Sequence, residues 1–181
     1  CSVSIDSSII PEIFTYPPCL CIALSQVLSY VKVFEMPQGG SITAGSMVPI
    51  ILFSLVYGFK DGFLAAIVYG LLQFVLGGTF SLHPLSIIID YLLGFGVLGL
   101  AGIFGGKKNL TSALLGTFVA CILRFVMLFL SGVLVWASYT PPGMAPWYYS
   151  LTYNGTYMIP ETILTLVIVA LIYSKVYDSM K

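Results

Sequence analysis

Between Leu110 and Trp136 the chain carries a single charged side chain, Arg124. A helix needs about 20 mainly apolar residues to cross the hydrocarbon core of a bilayer, and this stretch is longer than that. Inside lipid every backbone polar group must be satisfied within the protein, which leaves only helices and closed barrels. The stretch does not alternate apolar and polar residues as a barrel strand does, so it reads as a helix. Five more apolar segments follow the same logic: Pro17–Phe34, Ile42–Tyr57, Phe63–Phe80, Leu85–Phe104 and Tyr157–Tyr177. The expectation is an all-α membrane protein, a six-transmembrane-helix bundle forming one integral membrane domain over residues 1–181.

Composition closes the other routes. Of 181 residues, 59% are hydrophobic and 8% charged, whereas a soluble domain has about 25% charged residues. So few charges cannot cover a water-facing surface. The seven basic and seven acidic residues balance, and no basic patch would attract nucleic acid. Cys1, Cys19, Cys21 and Cys121 fit no zinc or haem spacing, and Cys19 and Cys21 read as small apolar packing residues. With one histidine and no carboxylate cluster, neither a metal nor a cofactor is expected. No nucleophile–base pair and no phosphate loop is visible. The reading is therefore of a non-enzyme. Uphill movement of a solute would need energy from another subunit or an ion gradient.

Charge placement orients the bundle. Lys60, Lys107, Lys108, Lys175 and Lys181 fall in the even loops and the C-terminus, against Lys32 alone at the end of the first span. By the positive-inside rule the even loops and both termini are cytoplasmic. The outer loops are then the chemically rich ones, above all Trp136–Asn154 with its tryptophans and tyrosines. An interfacial aromatic belt is the plain reading of these rings. It does not explain why they crowd into one loop.

Apart from Lys32 and Lys175 at span ends, three charged residues lie within the spans: Asp90, Arg124 and Glu161. Each costs roughly 2.5–3.5 kcal/mol in lipid on insertion scales, so each is a functional candidate. Asp90 sits roughly 8 Å inward from the outer end of its span and Arg124 roughly 18 Å, by helical rise. A mutual ion pair fastening two helices is the structural alternative, and the depth difference argues against it. Glu161 follows Pro160, where a carboxylate would favour the first turn of the sixth span. His83, before Pro84, reads as a residue at the start of the fourth span.

On a helical wheel Arg124, Leu128, Ser131, Gly132 and Trp136 share one face. That stripe makes either an ordinary packing seam through Gly132 or one wall of an outward-opening pocket. Asp90 and Tyr91 would form a second wall, with Tyr149 and Asn154 above. One buried carboxylate among aromatic faces suits a cationic, planar ligand. An amide such as Asn154 can read the donors and acceptors of a heterocycle.

The string Glu35-Met36-Pro37-Gln38-Gly39-Gly40-Ser41-Ile42-Thr43 resembles the signature after the first helix of the thiamine-specific substrate-binding (S) components of energy-coupling factor (ECF) transporters. So do His83-Pro84, Asp90-Tyr91, Leu98 to Phe104, Arg124-Phe125, Pro142 to Trp147 and Tyr149 to Gly155, in the same order. The resemblance implies a multi-pass S-component of a prokaryotic plasma membrane that binds thiamine in an outward pocket. It also implies pairing with an ECF module of one transmembrane protein and two ATPases. The family's pocket acid falls on Asp90 and its neighbouring tyrosine on Tyr91. Its basic residue falls on Arg124, its ligand-side glycine on Gly132 and its stacking indole on Trp136. Its loop tyrosine and asparagine fall on Tyr149 and Asn154. Leu128 stands where comparable members carry a histidine. The small residues Cys19 and Ala23, one turn apart on the first span, match the family's face for docking the module. An S-component for a pyrimidine precursor or another B vitamin would share this architecture. A stand-alone secondary carrier would be a different class.

Overall fold

The computed structural model describes residues 17–37, 40–77, 83–106 and 109–180. Among them the chain forms six helices and one short hairpin, in the order α1 (Pro17–Tyr30), β1 (Lys32–Glu35), β2 (Ser41–Thr43), α2 (Val48–Tyr57), α3 (Phe59–Leu76), α4 (Pro84–Phe104), α5 (Leu110–Leu134) and α6 (Pro146–Met180). A short 3₁₀ turn, Ala137–Tyr139, joins α5 to the loop before α6. The all-α membrane bundle expected from the sequence is the architecture found, with four helices long and apolar enough to cross a bilayer.

The middle of the bundle is α2. Every residue from Val48 to Val56 is buried. A helix apolar all round has no face to give to water and is driven to the centre. Around it the usual order of a soluble protein is inverted. Leu64, Leu71, Val75, Leu115, Ile163, Val167 and Leu171 lie outside, while Ser25, Gln26, Ser54, Thr117 and Thr165 are buried. Outward-facing apolar side chains match a lipid solvent, and of the inward polar groups Ser54 and Thr117 bond to carbonyls of their own helices while Gln26 accepts from Gln73 on α3.

Helix α4 is not one regular helix. Ile87–Leu93 is wound as a π-helix and Val97–Phe104 as a 3₁₀-helix, with a short α-helical piece at Gly94–Gly96 between them. Glycines permit this close-packed path. A Cβ at Gly99 would meet the Phe63 backbone, and one at Gly102 would meet the Gly58–Phe59 backbone. Helix α4 therefore lies directly on the turn between α2 and α3. That turn is made by Gly58 with φ of 96°, a left-handed conformation that glycine adopts without a Cβ penalty.

Several boundaries differ from the sequence expectation. The first span stops at Tyr30 and the second helix starts only at Val48. The residues between pair as an antiparallel hairpin, Phe34 opposite Ile42 and Glu35 opposite Ser41. Lys32 thus belongs to a strand rather than to the end of a span. Pro49 lies in the first turn of α2, where a missing N–H costs nothing. The third span begins a turn early, at Phe59, because the chain reverses within Gly58 alone. Most consequential, α6 begins at Pro146 and runs unbroken through Pro160. A proline inside a helix removes one N–H, a loss that packed membrane helices tolerate. At 35 residues and a rise of about 1.5 Å each, α6 is longer than the roughly 30 Å hydrocarbon core.

Candidate functional site

The helices, with the hairpin, enclose a cavity of about 210 Å³. Asp90, Tyr91, Arg124, Gly132, Trp136, Tyr149 and Asn154 all line it, so the structure brings the seven sequence-derived candidates to one place. Leu128 lines it too.

The π-wound segment of α4 carries Asp90 and Tyr91. The Ser86 hydroxyl donates to Asp90 Oδ2 at 2.6 Å, and the Trp136 indole Nε1–H donates to the same oxygen at 3.4 Å. Both of these bonds fall on Oδ2, and the Ser131 hydroxyl of α5 lies beside the same carboxylate. Trp136 follows the end of α5, and its ring lies 5.3 Å from that of Tyr139. The Tyr91 ring meets Phe74 edge-on at 5.3 Å.

Arg124 does not pair with Asp90. Among the described residues the one ion pair is Lys32–Glu35, at 2.6 Å on the hairpin. Arg124 instead reaches from α5 to the point where the winding of α4 changes. Its Nη1 donates to the Gly94 carbonyl at 3.0 Å, and its guanidinium carbon stands 3.8 Å over the Phe95 ring. A cation over an aromatic face in a desolvated setting is a favourable contact. Its Nε is buried without a hydrogen-bond partner among the described residues.

Gly132 and Asn154 both serve the α5–α6 seam. A Cβ at Gly132 would collide with the Ser150 side chain and come within 3.3 Å of Asn154 Nδ2. Through that gap the Ser150 hydroxyl donates to the Phe129 carbonyl at 2.8 Å. Asn154 Nδ2 donates to the carbonyl of Ser150 at 2.9 Å and to that of Leu128 at 3.4 Å, and its Oδ1 accepts from the Tyr157 hydroxyl at 2.6 Å. The Asn154 amide is thus engaged with protein on both sides, and it fixes the Tyr157 ring.

Sequence reasoning missed a further set of lining residues, Thr43, Tyr69, Gln73, Tyr153 and Tyr157, and gave the lining residue Glu161 another role. Once α6 is known to start at Pro146, the signal is plain. Tyr149, Tyr153, Tyr157 and Glu161 recur every fourth residue and share one face. The rings of Tyr149 and Tyr153 are 5.8 Å apart, and those of Tyr153 and Tyr157 6.1 Å. The helix-start role expected for Glu161 is corrected by the same boundary. Turns of α6 precede it, so no free N–H groups remain there for a carboxylate to cap. Its carboxylate accepts instead from Thr43. His83 stands outside the cavity, and its ring Nδ1 caps α4 by accepting from Leu85 N–H at 3.3 Å. Cys19 and Ala23 are exposed on the outer face of α1, whose inner face buries Ser25, Gln26 and Ser29.

Known proteins share this arrangement. The fold is similar to that of a crystal structure of ThiT from Listeria monocytogenes, with a TM-score of 0.79, 22% identity, and coverage of 89% of this chain and 94% of that one. In sequence the chain is 34% identical over 150 residues to the thiamine transporter ThiT of Bacillus subtilis, covering 77% of this chain and 78% of that protein. It is 30% identical over 140 residues to the thiamine transporter ThiT of Lacticaseibacillus paracasei, covering 70% of each. The family described as thiamine transporter protein (Thia_YuaJ) matches residues 17–181, and with every described helix inside that match, this chain belongs to that family.

Proposed function

We propose that this chain is the substrate-binding subunit of an ECF vitamin transporter, which captures thiamine in the cavity from the outer side of the membrane. The observation that carries the reading is Asp90. It is a carboxylate set in a membrane-spanning helix and lining the cavity, with one oxygen held by Ser86 and Trp136. Thiamine joins a permanently charged thiazolium to an aminopyrimidine. A desolvated carboxylate balances the first, and the surrounding Trp136, Tyr91 and Tyr149 offer faces to both rings. The cavity needs no catalytic group for this task, only complementary charge and stacking surface. Energy for release to the inside would come from a separate module of one transmembrane protein and two ATPases, docked on the face of α1 that carries Cys19 and Ala23. Even loops and both termini are assigned to the cytoplasm on the lysine distribution.

Equilibrium binding by purified protein tests the reading directly. Thiamine should bind far more tightly than its pyrimidine half or its thiazolium half alone, because each half leaves one end of the cavity unfilled. Preference for the isolated pyrimidine, or for another vitamin in a panel, would move the assignment to a related heterocycle. Uptake that needs no ATPase module would make the chain a secondary carrier.

A further inference from the structure

The cavity holds a second carboxylate, and its surroundings are unlike those of Asp90. Glu161 is only 4% exposed. One oxygen accepts from the Thr43 backbone N–H at 2.7 Å and the other from the Thr43 hydroxyl at 2.6 Å. Having given its one proton to Glu161, the Thr43 hydroxyl accepts from Ser46, whose Oγ lies at 2.8 Å and whose backbone N lies at 3.1 Å. Both carboxylate oxygens are thus engaged by one residue, 118 positions away in sequence.

Thr43 ends strand β2, and Gly40 lies just before it. One turn before Glu161 on α6, Tyr157 packs directly on Gly40. A Cβ there would fall 2.7 Å from Tyr157 Cδ1 and 2.9 Å from Cζ. Helix α6 therefore grips β2 at both ends. The partner strand β1 is exposed at all four positions, and an isolated two-stranded hairpin is marginal at best. Yet Lys32, Gly40, Ser41 and Thr43 line the cavity. The hairpin forms cavity wall, but has little apolar footing of its own.

We propose that Glu161 is a positioning residue. It clasps the hairpin over the cavity, so that the clasp sets how fast a bound ligand leaves, and it is not the ligand's counter-charge. The contrast with Asp90 supports this division of labour, since the Ser86 and Trp136 bonds to Asp90 both fall on one oxygen, whereas Thr43 engages both oxygens of Glu161. The ligand half of the inference rests on the thiamine reading above, whereas the clasp itself does not.

The first test therefore needs no ligand. Hydrogen exchange of the full-length protein should show hairpin amides opening about tenfold faster in Glu161→Gln, the scale of one weakened charge-assisted bond, with α5 amides unchanged. The second test follows thiamine by stopped flow. Glu161→Gln should raise the dissociation rate about tenfold and leave the association rate unchanged or faster. Thr43→Val should do the same, the two changes should not add, and Thr43→Ser should restore slow release. An uncharged thiamine analogue should be released faster in the same proportion. If Glu161→Gln does not fold, Gly40→Ala, which pushes β2 off Tyr157 and leaves Glu161 in place, should give the same exchange and release. Unchanged hairpin exchange in these variants would overturn the clasp. So would intact hairpin protection with a loss confined to the cationic ligand, which would make Glu161 the counter-charge. Failure of the wild-type protein to bind thiamine would overturn the proposed ligand, and the exchange experiment would still decide the clasp.

Discussion

Trp136, just past the end of α5, and Asp90 of α4 meet at the cavity wall, the indole N–H of one 3.4 Å from Oδ2 of the other. The contact joins the end of α5 to the π-wound part of α4. A wider helical turn shifts side chains out of α-helical register, and π-wound segments recur at functional sites. Here such a segment brings Asp90 and Tyr91 into one wall.

That geometry makes Asp90 the residue whose charge matters most. Asp90→Asn keeps the shape and an acceptor but removes the charge. Thiamine affinity should fall by about 1.5–3 kcal/mol, the range for a hydrogen bond to a charged group. An uncharged analogue should lose much less. Calorimetry on both ligands separates the two effects, and equal affinity of the variant and the parent for thiamine would take Asp90 out of the site.

Trp136 contributes a face as well as a donor. Trp136→Ala should weaken binding by roughly 1–2 kcal/mol through lost stacking and cation–π attraction. The chain has two tryptophans, and the other, Trp147, is 56% exposed and packs on Tyr148. Ligand addition should therefore quench fluorescence in the parent and not in Trp136→Phe. Full quenching in that variant would shift the stacking role to Trp147.

How far the sequence speaks can be judged from these same residues. Asp90 and Arg124 stand out because a charge in an apolar run is costly, and that cost is visible without coordinates. The long helices were legible for the same reason. The hairpin was not, because Val33, Phe34 and Ile42 continue the apolar run on either side and read as span. Nor was the start of α6. Trp147 to Thr156 is polar and aromatic, as a loop would be, and Pro160 looks like a helix start. Only in the fold does it become clear that this polarity faces a cavity along one side of a helix. Misplacing that boundary hid the Tyr149–Tyr153–Tyr157–Glu161 face and gave Glu161 the wrong role. Gly132 was legible as small, but its reason lay in Ser150 on another helix, which no local pattern encodes.

The Gly132 seam yields a stability prediction. Gly132→Ala places a Cβ against Ser150 and should destabilise the bundle by about 1–3 kcal/mol, the usual range for overpacking. Adding Ser150→Gly removes the opposing atoms and should recover part of the loss, although it also removes the bond to Phe129. Thermal unfolding in detergent measures both variants against the parent. An unchanged midpoint for Gly132→Ala would show that α5 and α6 can part without cost.

The outer face of α1 remains to be accounted for. Cys19, Leu20, Ala23, Leu24 and Val27 are exposed, while the opposite face buries Ser25, Gln26 and Ser29 against the body of the bundle. Lipid alone would tolerate this outer face. A membrane partner would also gain from it, because small residues one turn apart let two backbones approach where no hydrophobic drive exists. Ala23→Trp puts bulk at the point of nearest approach. It should abolish thiamine uptake in cells supplying the ATPase module, yet leave thiamine binding by the isolated protein within about twofold, well inside the 1.4 kcal/mol that a tenfold change represents. The separation is expected because Asp90 and Trp136 stand on α4 and at the end of α5, away from the exposed side of α1. Loss of binding together with uptake would mean that the outer face of α1 supports the bundle itself, and the docking surface would have to lie on another helix.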